Sequence, residues 1–116
     1  MEKSNIKIIA IDFDETITDN TPYPYKGKIR KEAIKYIKKL YERGYKLVLW
    51  TARKEKYYFE ALDQLKESDL YKYFSFDYME AGYNGKLIAD FYIDDRSLTH
   101  KINWKKMYKY ITKRIK

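Results

Sequence analysis

The chain contains no cysteine, a single histidine and no long apolar run. Because cysteine is absent, the protein can form neither a disulfide framework nor a thiolate metal site. Its apolar segments fall well short of the roughly 20 residues that a membrane-spanning helix requires. Residues 1–5 are polar and do not resemble a secretory signal. We therefore expect a cytoplasmic protein that does not act at a membrane.

The composition is typical of one folded domain. The chain has 116 residues, of which 45% are hydrophobic, with 14 Tyr, 5 Phe and 2 Trp. This content of apolar and aromatic side chains argues against disorder. The length is sufficient for one hydrophobic core and too short for two domains. We predict a single domain over residues 1–116, without a linker or an internal repeat.

The formal net charge of +8 has two interpretations. The positive charge could steer an anionic partner, such as a phosphate ester or a nucleic acid. Alternatively, it reflects a lysine-rich surface that is simply solvated. The lysines are spread along the chain rather than clustered, which favours the second interpretation. A nucleic-acid partner is therefore possible but not favoured.

Hydrophobic periodicity predicts strands that alternate with helices. Such alternation is typical of right-handed crossovers and a parallel sheet covered by helices on both faces. We therefore predict an α/β fold, a three-layer α/β/α sandwich around a Rossmann-like parallel sheet. The predicted strands cover residues 6–12, 45–50, 74–79 and 89–94, and the predicted helices cover residues 29–43, 54–67 and 103–115.

Two aspartates, Asp12 and Asp14, follow the apolar run of the first predicted strand. An unbroken apolar run indicates a strand that is buried on both faces of a parallel sheet. Two carboxylates beside such a strand are unfavourable unless a cation or another positive group offsets their charge. This pattern indicates that the two acids serve chemistry rather than stability.

Polar side chains also follow two other predicted strands. Thr51 comes directly after the second strand, and Asp94 and Asp95 end the last one. Ligands of open parallel sheets bind at the carboxyl ends of the strands. We therefore expect these residues to meet Asp12 at one edge of the sheet, where Lys86 could also reach.

Four short motifs occur in order along the chain. They are Asp12-Phe13-Asp14-Glu15-Thr16 (DxDxT), the strand Leu47-Val48-Leu49-Trp50-Thr51, the single Lys86, and Tyr92-Ile93-Asp94-Asp95. With these motifs the chain resembles the haloacid dehalogenase (HAD) superfamily, and in particular its small phosphatases. About 34 residues separate Thr16 from Thr51, and a similar number separate Thr51 from Lys86. Neither interval has room for the cap domain that is usual in the family, so we expect a capless member.

The resemblance implies a role for each motif residue. Asp12 would be the nucleophile and form an aspartyl-phosphate. Asp14 would be the general acid and base, and an acid at this position favours phosphate chemistry over dehalogenation. Thr51 would hydrogen-bond a phosphoryl oxygen, although it could instead cap the following helix. Lys86 would neutralise Asp12 and the phosphate.

The resemblance also implies Mg²⁺, which suits an all-oxygen site that retains several waters. Asp12 and Asp94 would bind the metal through their side chains, and Asp14 through its backbone carbonyl. Asp95 would either bind through water or orient Lys86, and the acidic pair could alternatively belong to a capped turn. Three further residues, Thr16, Arg53 and Arg96, are candidates for substrate contact; for the two arginines a structural pairing is equally open.

Three functions are consistent with these residues. The first is a Mg²⁺-dependent phosphatase that hydrolyses phosphomonoesters through an aspartyl-phosphate. The second is a non-catalytic or regulatory phosphate-binding protein on the same fold. The third is a receiver-like signalling module, which is disfavoured because both prolines, Pro22 and Pro24, lie early in the chain. Without a cap, the open site would need a large phosphorylated substrate, or cover from the loop that carries Tyr23 and Tyr25 or from a second subunit.

Overall fold

The computed structural model describes residues 7–76, 89–94 and 103–114. Within them, each predicted helix is present, and its ends lie within about two residues of the prediction. The strands are β1 (Ile8–Asp12), β2 (Lys46–Trp50) and β3 (Phe91–Ile93), the helices are α1 (Lys31–Glu42), α2 (Glu55–Glu67) and α3 (Trp104–Arg114), and a 3₁₀ turn spans Tyr71–Tyr73.

The sheet is parallel and has the strand order β2-β1-β3. The apolar run of β1 is therefore the central strand of the three, as its unbroken hydrophobicity predicts. In register, Ile11 of β1 lies between Leu49 of β2 and Ile93 of β3. Phe74 forms a single parallel bridge to Leu47 at the outer side of β2. The rest of the predicted strand over 74–79 lies largely outside the described residues.

One hydrophobic core joins the sheet to all three helices. Alternate strand residues, among them Ile11, Leu49 and Ile93, share this core with buried side chains of α1, α2 and α3. Successive residues of a strand face opposite sides of the sheet, so alternate residues share one face. Because the helices pack on these alternate residues, they lie on one face of the sheet. The opposite face is also covered at its centre, since Ala10 and Val48 are buried. The predicted α/β fold is confirmed. The helices described within ranges 7–76 and 103–114 form the helical layer on one face of the sheet.

Helix α1 buries Ala33, Tyr36, Ile37 and Leu40 against the sheet. Tyr41 follows the same helical spacing as these residues, yet its ring is 48% exposed and instead contacts Tyr73. The helix ends before Gly44, which adopts a positive φ of 94°. Its amide donates to the carbonyl of Tyr41, and the amide of Tyr45 donates to Leu40. A side chain would be strained at this φ, so glycine suits the position.

Helix α2 buries Ala61, Gln64 and Leu65. Phe59 lies outside the core, with its side chain 62% exposed. Two residues along a helix turn the side chain by about 200°, so Phe59 faces away from Ala61. In α3, Trp104 and Ile111 are buried two turns apart. No helix among the described residues is sufficiently long and apolar to cross a membrane.

The chain between Thr16 and Thr51 is fully described and consists of a loop, α1 and β2. This interval therefore contains no cap domain. The interval from Thr51 to Lys86 contains α2 and the 3₁₀ turn as far as Phe76, and its remainder lies outside the described residues.

Candidate active site

A cleft of about 420 Å³ lies at the carboxyl ends of the strands. This is the edge at which open parallel sheets bind their ligands. The structure brings Asp12, Thr51 and Asp94 to this one cleft from three neighbouring strands. Within the described ranges, the lining consists of Asp12, Asp14, Glu15, Tyr23, Trp50, Thr51, Ala52, Arg53 and Asp94.

A tight turn after β1 presents the first two aspartates. The carbonyl of Phe13 accepts hydrogen bonds from the amides of Ile17, at 2.9 Å, and Thr18, at 3.1 Å. Glu15 takes a positive φ of 61° within this turn. The ring of Phe13 is fully buried, whereas Asp12 and Asp14 on either side of it line the cleft. The buried ring thus anchors the turn between the two carboxylates.

Thr16 lies behind the cleft rather than in its lining. The residue is fully buried, and its hydroxyl donates to Oδ2 of Asp12 at 3.3 Å. Its carbonyl accepts a hydrogen bond of 2.9 Å from the indole of Trp104, which ties α3 to the turn. These contacts restrain the Asp12 carboxyl group from behind and tie Thr16 to α3.

Arg53 forms an ion pair with Asp14 in the cleft. Its Nε donates to Oδ2 of Asp14 at 2.8 Å, and its Nη2 donates to Oδ1 at 2.6 Å. The third nitrogen, Nη1, donates to the carbonyl of Tyr57 at 3.1 Å. These hydrogen bonds to Asp14 are the largest cause that raises the pKa of Arg53 above its ordinary value. Of the two interpretations of Arg53, the structure has the structural pairing.

Aromatic rings flank the Arg53 guanidinium. Its centre lies 5.1 Å from the ring centroid of Phe13 and 5.0 Å from that of Tyr23. Both distances are within the range of cation–π attraction. The side chain of Arg53 is only 2% exposed, whereas that of Asp14 is 18% exposed. Asp14 is therefore held from the protein side and remains open to the cleft.

Thr51 lines the cleft and does not cap helix α2. Its Oγ1 accepts the amide of Arg53 at 3.1 Å, and the residue that precedes the helix is Lys54. The helix-capping alternative for Thr51 is thus not what the structure has. A hydroxyl that accepts one hydrogen bond still has its own proton to donate. Thr51 can therefore donate to a bound oxyanion.

The loop that follows Asp14 is tied to the rest of the fold. Arg30 donates to the carbonyl of Thr18 at 2.7 Å and to the carbonyl of Glu15 at 3.2 Å. The buried amide of Gln64 donates to the carbonyl of Gly27 at 2.8 Å. No sequence motif points to these anchors, since neither Arg30 nor Gln64 belongs to one.

The two tyrosines of this loop differ in position. Tyr23 lines the cleft and contacts the ring of Tyr57. Tyr25 is 69% exposed and is not part of the lining. Of the two, only Tyr23 is placed to touch a ligand in the cleft.

Among the residues that the structure describes, the cleft lining has four carboxylates and one guanidinium. Asp14 is paired with Arg53, while Asp12 and Asp94 meet from adjacent strands. No set of three or more acidic, histidine or cysteine side chains that could hold a metal occurs within residues 7–76, 89–94 and 103–114. The predicted ligand Asp95 lies outside those ranges, as do Lys86 and Arg96. The donors present are hard oxygen ligands, which fit Mg²⁺.

Comparison with known proteins agrees with this architecture. A family described as haloacid dehalogenase-like hydrolase matches residues 9–116. The chain belongs to the haloacid dehalogenase-like hydrolases. The matched region begins in β1 and includes every described residue of the cleft lining. The cleft of this HAD-like protein is therefore part of the region that matches the family.

A solved structure of a conserved protein from Bacteroides thetaiotaomicron is similar to this HAD-like chain. The two share 28% sequence identity with a TM-score of 0.79, over 94% of this chain and 92% of the other. The similarity therefore covers nearly the whole of both chains and supports the same fold. No curated protein gives a significant match.

Proposed function

We propose that this HAD-like hydrolase is a phosphatase that hydrolyses phosphomonoesters through an aspartyl-phosphate on Asp12. The observation that carries the proposal is the cleft itself, where Asp12, the paired Asp14, Thr51 and Asp94 converge. A nucleophile, a second acid for proton transfer and a hydroxyl donor for a phosphoryl oxygen are the groups that this reaction requires.

In the first half-reaction, a carboxylate oxygen of Asp12 attacks phosphorus and the bond from phosphorus to the alcohol oxygen breaks. Asp14 gives its proton to the departing alkoxide. The hydroxyl of Thr16, 3.3 Å from Oδ2, restrains the Asp12 carboxyl group for this attack. In the second half-reaction, Asp14 takes a proton from water as the water attacks the aspartyl-phosphate. Inorganic phosphate leaves, and Asp12 is regenerated.

The charge of the lining supports a divalent cation in this reaction. The described part of the lining has four carboxylates and one guanidinium, and carboxylates at close range repel a phosphate dianion. Arg53 cannot offset this repulsion alone because its guanidinium is already paired with Asp14. We propose that Asp12 and Asp94 hold Mg²⁺, with the Asp14 carbonyl and Asp95 as further ligands. Mg²⁺ would neutralise charge between the carboxylates and the phosphoryl group.

The test is hydrolysis of p-nitrophenyl phosphate and of an alkyl phosphate, with and without Mg²⁺. Asp12→Asn should abolish turnover of both substrates. Asp14→Asn should lower kcat/KM for the alkyl phosphate by roughly 10²–10⁴-fold. Its effect on kcat/KM for the nitrophenyl ester should be smaller, because nitrophenolate leaves without being protonated. Asp63→Asn, at an exposed position of α2, is the matched control and should resemble the wild type. Full activity of Asp12→Asn would refute the nucleophile assignment.

One observation favours the second function, a non-catalytic phosphate-binding protein. The bidentate contact with Arg53 holds Asp14 as an ion pair, whereas catalysis requires Asp14 to exchange a proton in each cycle. If the protein binds inorganic phosphate but hydrolyses no member of a broad panel of phosphomonoesters with Mg²⁺, this second function replaces the first.

A further inference from the structure

Two aromatic side chains stand beside the catalytic cleft, and no step of the proposed reaction uses them. Trp50 ends β2 and Tyr92 lies in β3, with ring centroids 4.7 Å apart at an angle of 58°. Trp50 is 42% exposed and Tyr92 is 41% exposed. We call this pair the aromatic platform. The platform combines a large apolar surface with direct access from solvent.

The strand register places the platform next to the nucleophile. Trp50 is the β2 partner of Asp12, and Tyr92 is the β3 partner of Ala10. Partner residues on neighbouring parallel strands project from the same face of the sheet, and such strands lie about 4.8 Å apart. Trp50 therefore stands beside the Asp12 carboxylate and lines the same cleft. The hydroxyl of Tyr92 accepts the amide of Ala89 at 3.1 Å, which restrains its ring.

Exposed aromatic residues are not unusual in a chain with 14 tyrosines, so position is the deciding feature. Phe59 and Tyr110 are more exposed than Trp50, yet they lie on helices α2 and α3 and do not line the cleft. The other tryptophan, Trp104, is fully buried in the core. The aromatic surface at the site is thus available to a ligand that occupies the cleft.

We infer that the substrate is a phosphomonoester whose alcohol part carries a planar ring, of the class of nucleoside monophosphates. The inference rests on the proposed function, because Asp12 fixes where the phosphate would bind. A sugar-sized spacer would then place the ring on Trp50. The cleft of about 420 Å³ lies within the range of small-molecule sites. Stacking on an aromatic side chain accepts any base, since every base presents a π face.

The decisive comparison is adenosine 5′-monophosphate against ribose 5-phosphate. Both carry the phosphate on the same primary alcohol of ribose, and they differ by the base. The wild type should prefer the adenosine ester in kcat/KM. Trp50→Leu should reduce this preference by roughly 5- to 150-fold, the range expected for one stacked base. Phe59→Leu removes an exposed aromatic ring outside the cleft and should retain the preference.

A binding measurement makes the inference testable without turnover. The chain has two tryptophans, and Trp104 is fully buried in the core whereas Trp50 lines the cleft. A ligand in the cleft should therefore quench the fluorescence of Trp50 and leave that of Trp104 unchanged. In Asp12→Asn with Mg²⁺, adenosine 5′-monophosphate should quench the emission and ribose 5-phosphate should not. The same titration in Asp12→Asn/Trp50→Leu should show no quenching.

The outcomes separate the two proposals. If the wild type does not prefer the adenosine ester, or if Trp50→Leu keeps the preference, the ring inference is wrong while the phosphatase proposal stands. If no phosphomonoester is hydrolysed in an Asp12-dependent manner, the phosphatase proposal fails and the fluorescence titration decides the ring inference. Equal quenching by the two ligands, or none by either, would then overturn it.

Discussion

Removal of Arg53 should destabilise the protein through Asp14. Arg53→Met keeps much of the apolar volume of the side chain and deletes the guanidinium. The substitution loses two charge-assisted hydrogen bonds to Asp14, of 2.8 and 2.6 Å, and one of 3.1 Å to the Tyr57 carbonyl. It also leaves the Asp14 carboxylate beside the buried ring of Phe13 without its counter-charge.

The magnitude follows from the burial of the two partners. Loss of one member of a buried ion pair costs about 3–5 kcal/mol. The Asp14 side chain is 18% exposed at the cleft, so water can solvate part of its charge. We therefore expect a loss of about 2–3 kcal/mol in the free energy of unfolding. For a domain of this size, such a loss lowers Tm by roughly 6–15 °C.

A double-mutant cycle tests whether this loss acts through Asp14. The free energy of unfolding is measured by urea denaturation for the wild type, Arg53→Met, Asp14→Asn and the double variant. The cost of Arg53→Met should fall by at least ~1 kcal/mol in the Asp14→Asn background, because contacting charges are coupled. Lys38→Met, at an exposed cationic position of α1, is the matched control and should change Tm little. Equal costs of Arg53→Met in both backgrounds would refute the pairing.

Three further predictions concern the turn and loop around the site. Gly27→Ala should cost about 1–2 kcal/mol, because its Cβ would lie 2.6 Å from Oδ1 of Asp19; urea denaturation measures this. Hydrogen bonds from Thr21 hold the pKa of Asp19 below its ordinary value. The Asp19 carboxylate therefore stabilises the fold above pH ~4, and this stabilisation is lost as the pH falls through the lowered pKa. The difference in urea midpoint between the wild type and Asp19→Asn should accordingly shrink on acidification. Trp104→Phe should cost about 1–3 kcal/mol in the same assay, since the buried carbonyl of Thr16 loses its donor.

Local patterns in the sequence were sufficient to predict most of the fold. The unbroken apolar run before Asp12 predicts a strand buried on both sides, and β1 is the centre of the described sheet. The exceptions are two aromatic residues, Tyr41 and Phe59, which follow the helical spacing of core residues and yet are exposed. In a chain so rich in tyrosine, aromatic residues occur on several faces of a helix. Hydrophobic periodicity alone therefore does not identify the buried face.

The candidate site could be predicted where it depends on strand ends. Asp12, Thr51 and Asp94 each follow a strand, and parallel pairing brings them to the same cleft. The role of Arg53 could not be predicted in this way. Its contact with Asp14 spans 39 residues and depends on how two loops leave neighbouring strands. The sequence does contain one signal for this contact. Asp14 lies two residues after Asp12, and Arg53 lies two residues after Thr51, at the ends of adjacent strands.

The charge of the whole chain and the charge of the cleft have opposite signs. The chain carries +8, whereas the described lining has four carboxylates and one guanidinium that is paired with one of them. Fields from dispersed surface lysines are screened within about 8–10 Å at moderate ionic strength. They can raise the encounter rate of an anion, but they do not neutralise carboxylates in contact with it. A phosphate ester in this cleft therefore needs positive charge at close range, and we propose that Mg²⁺ held by Asp12 and Asp94 would supply it together with Lys86.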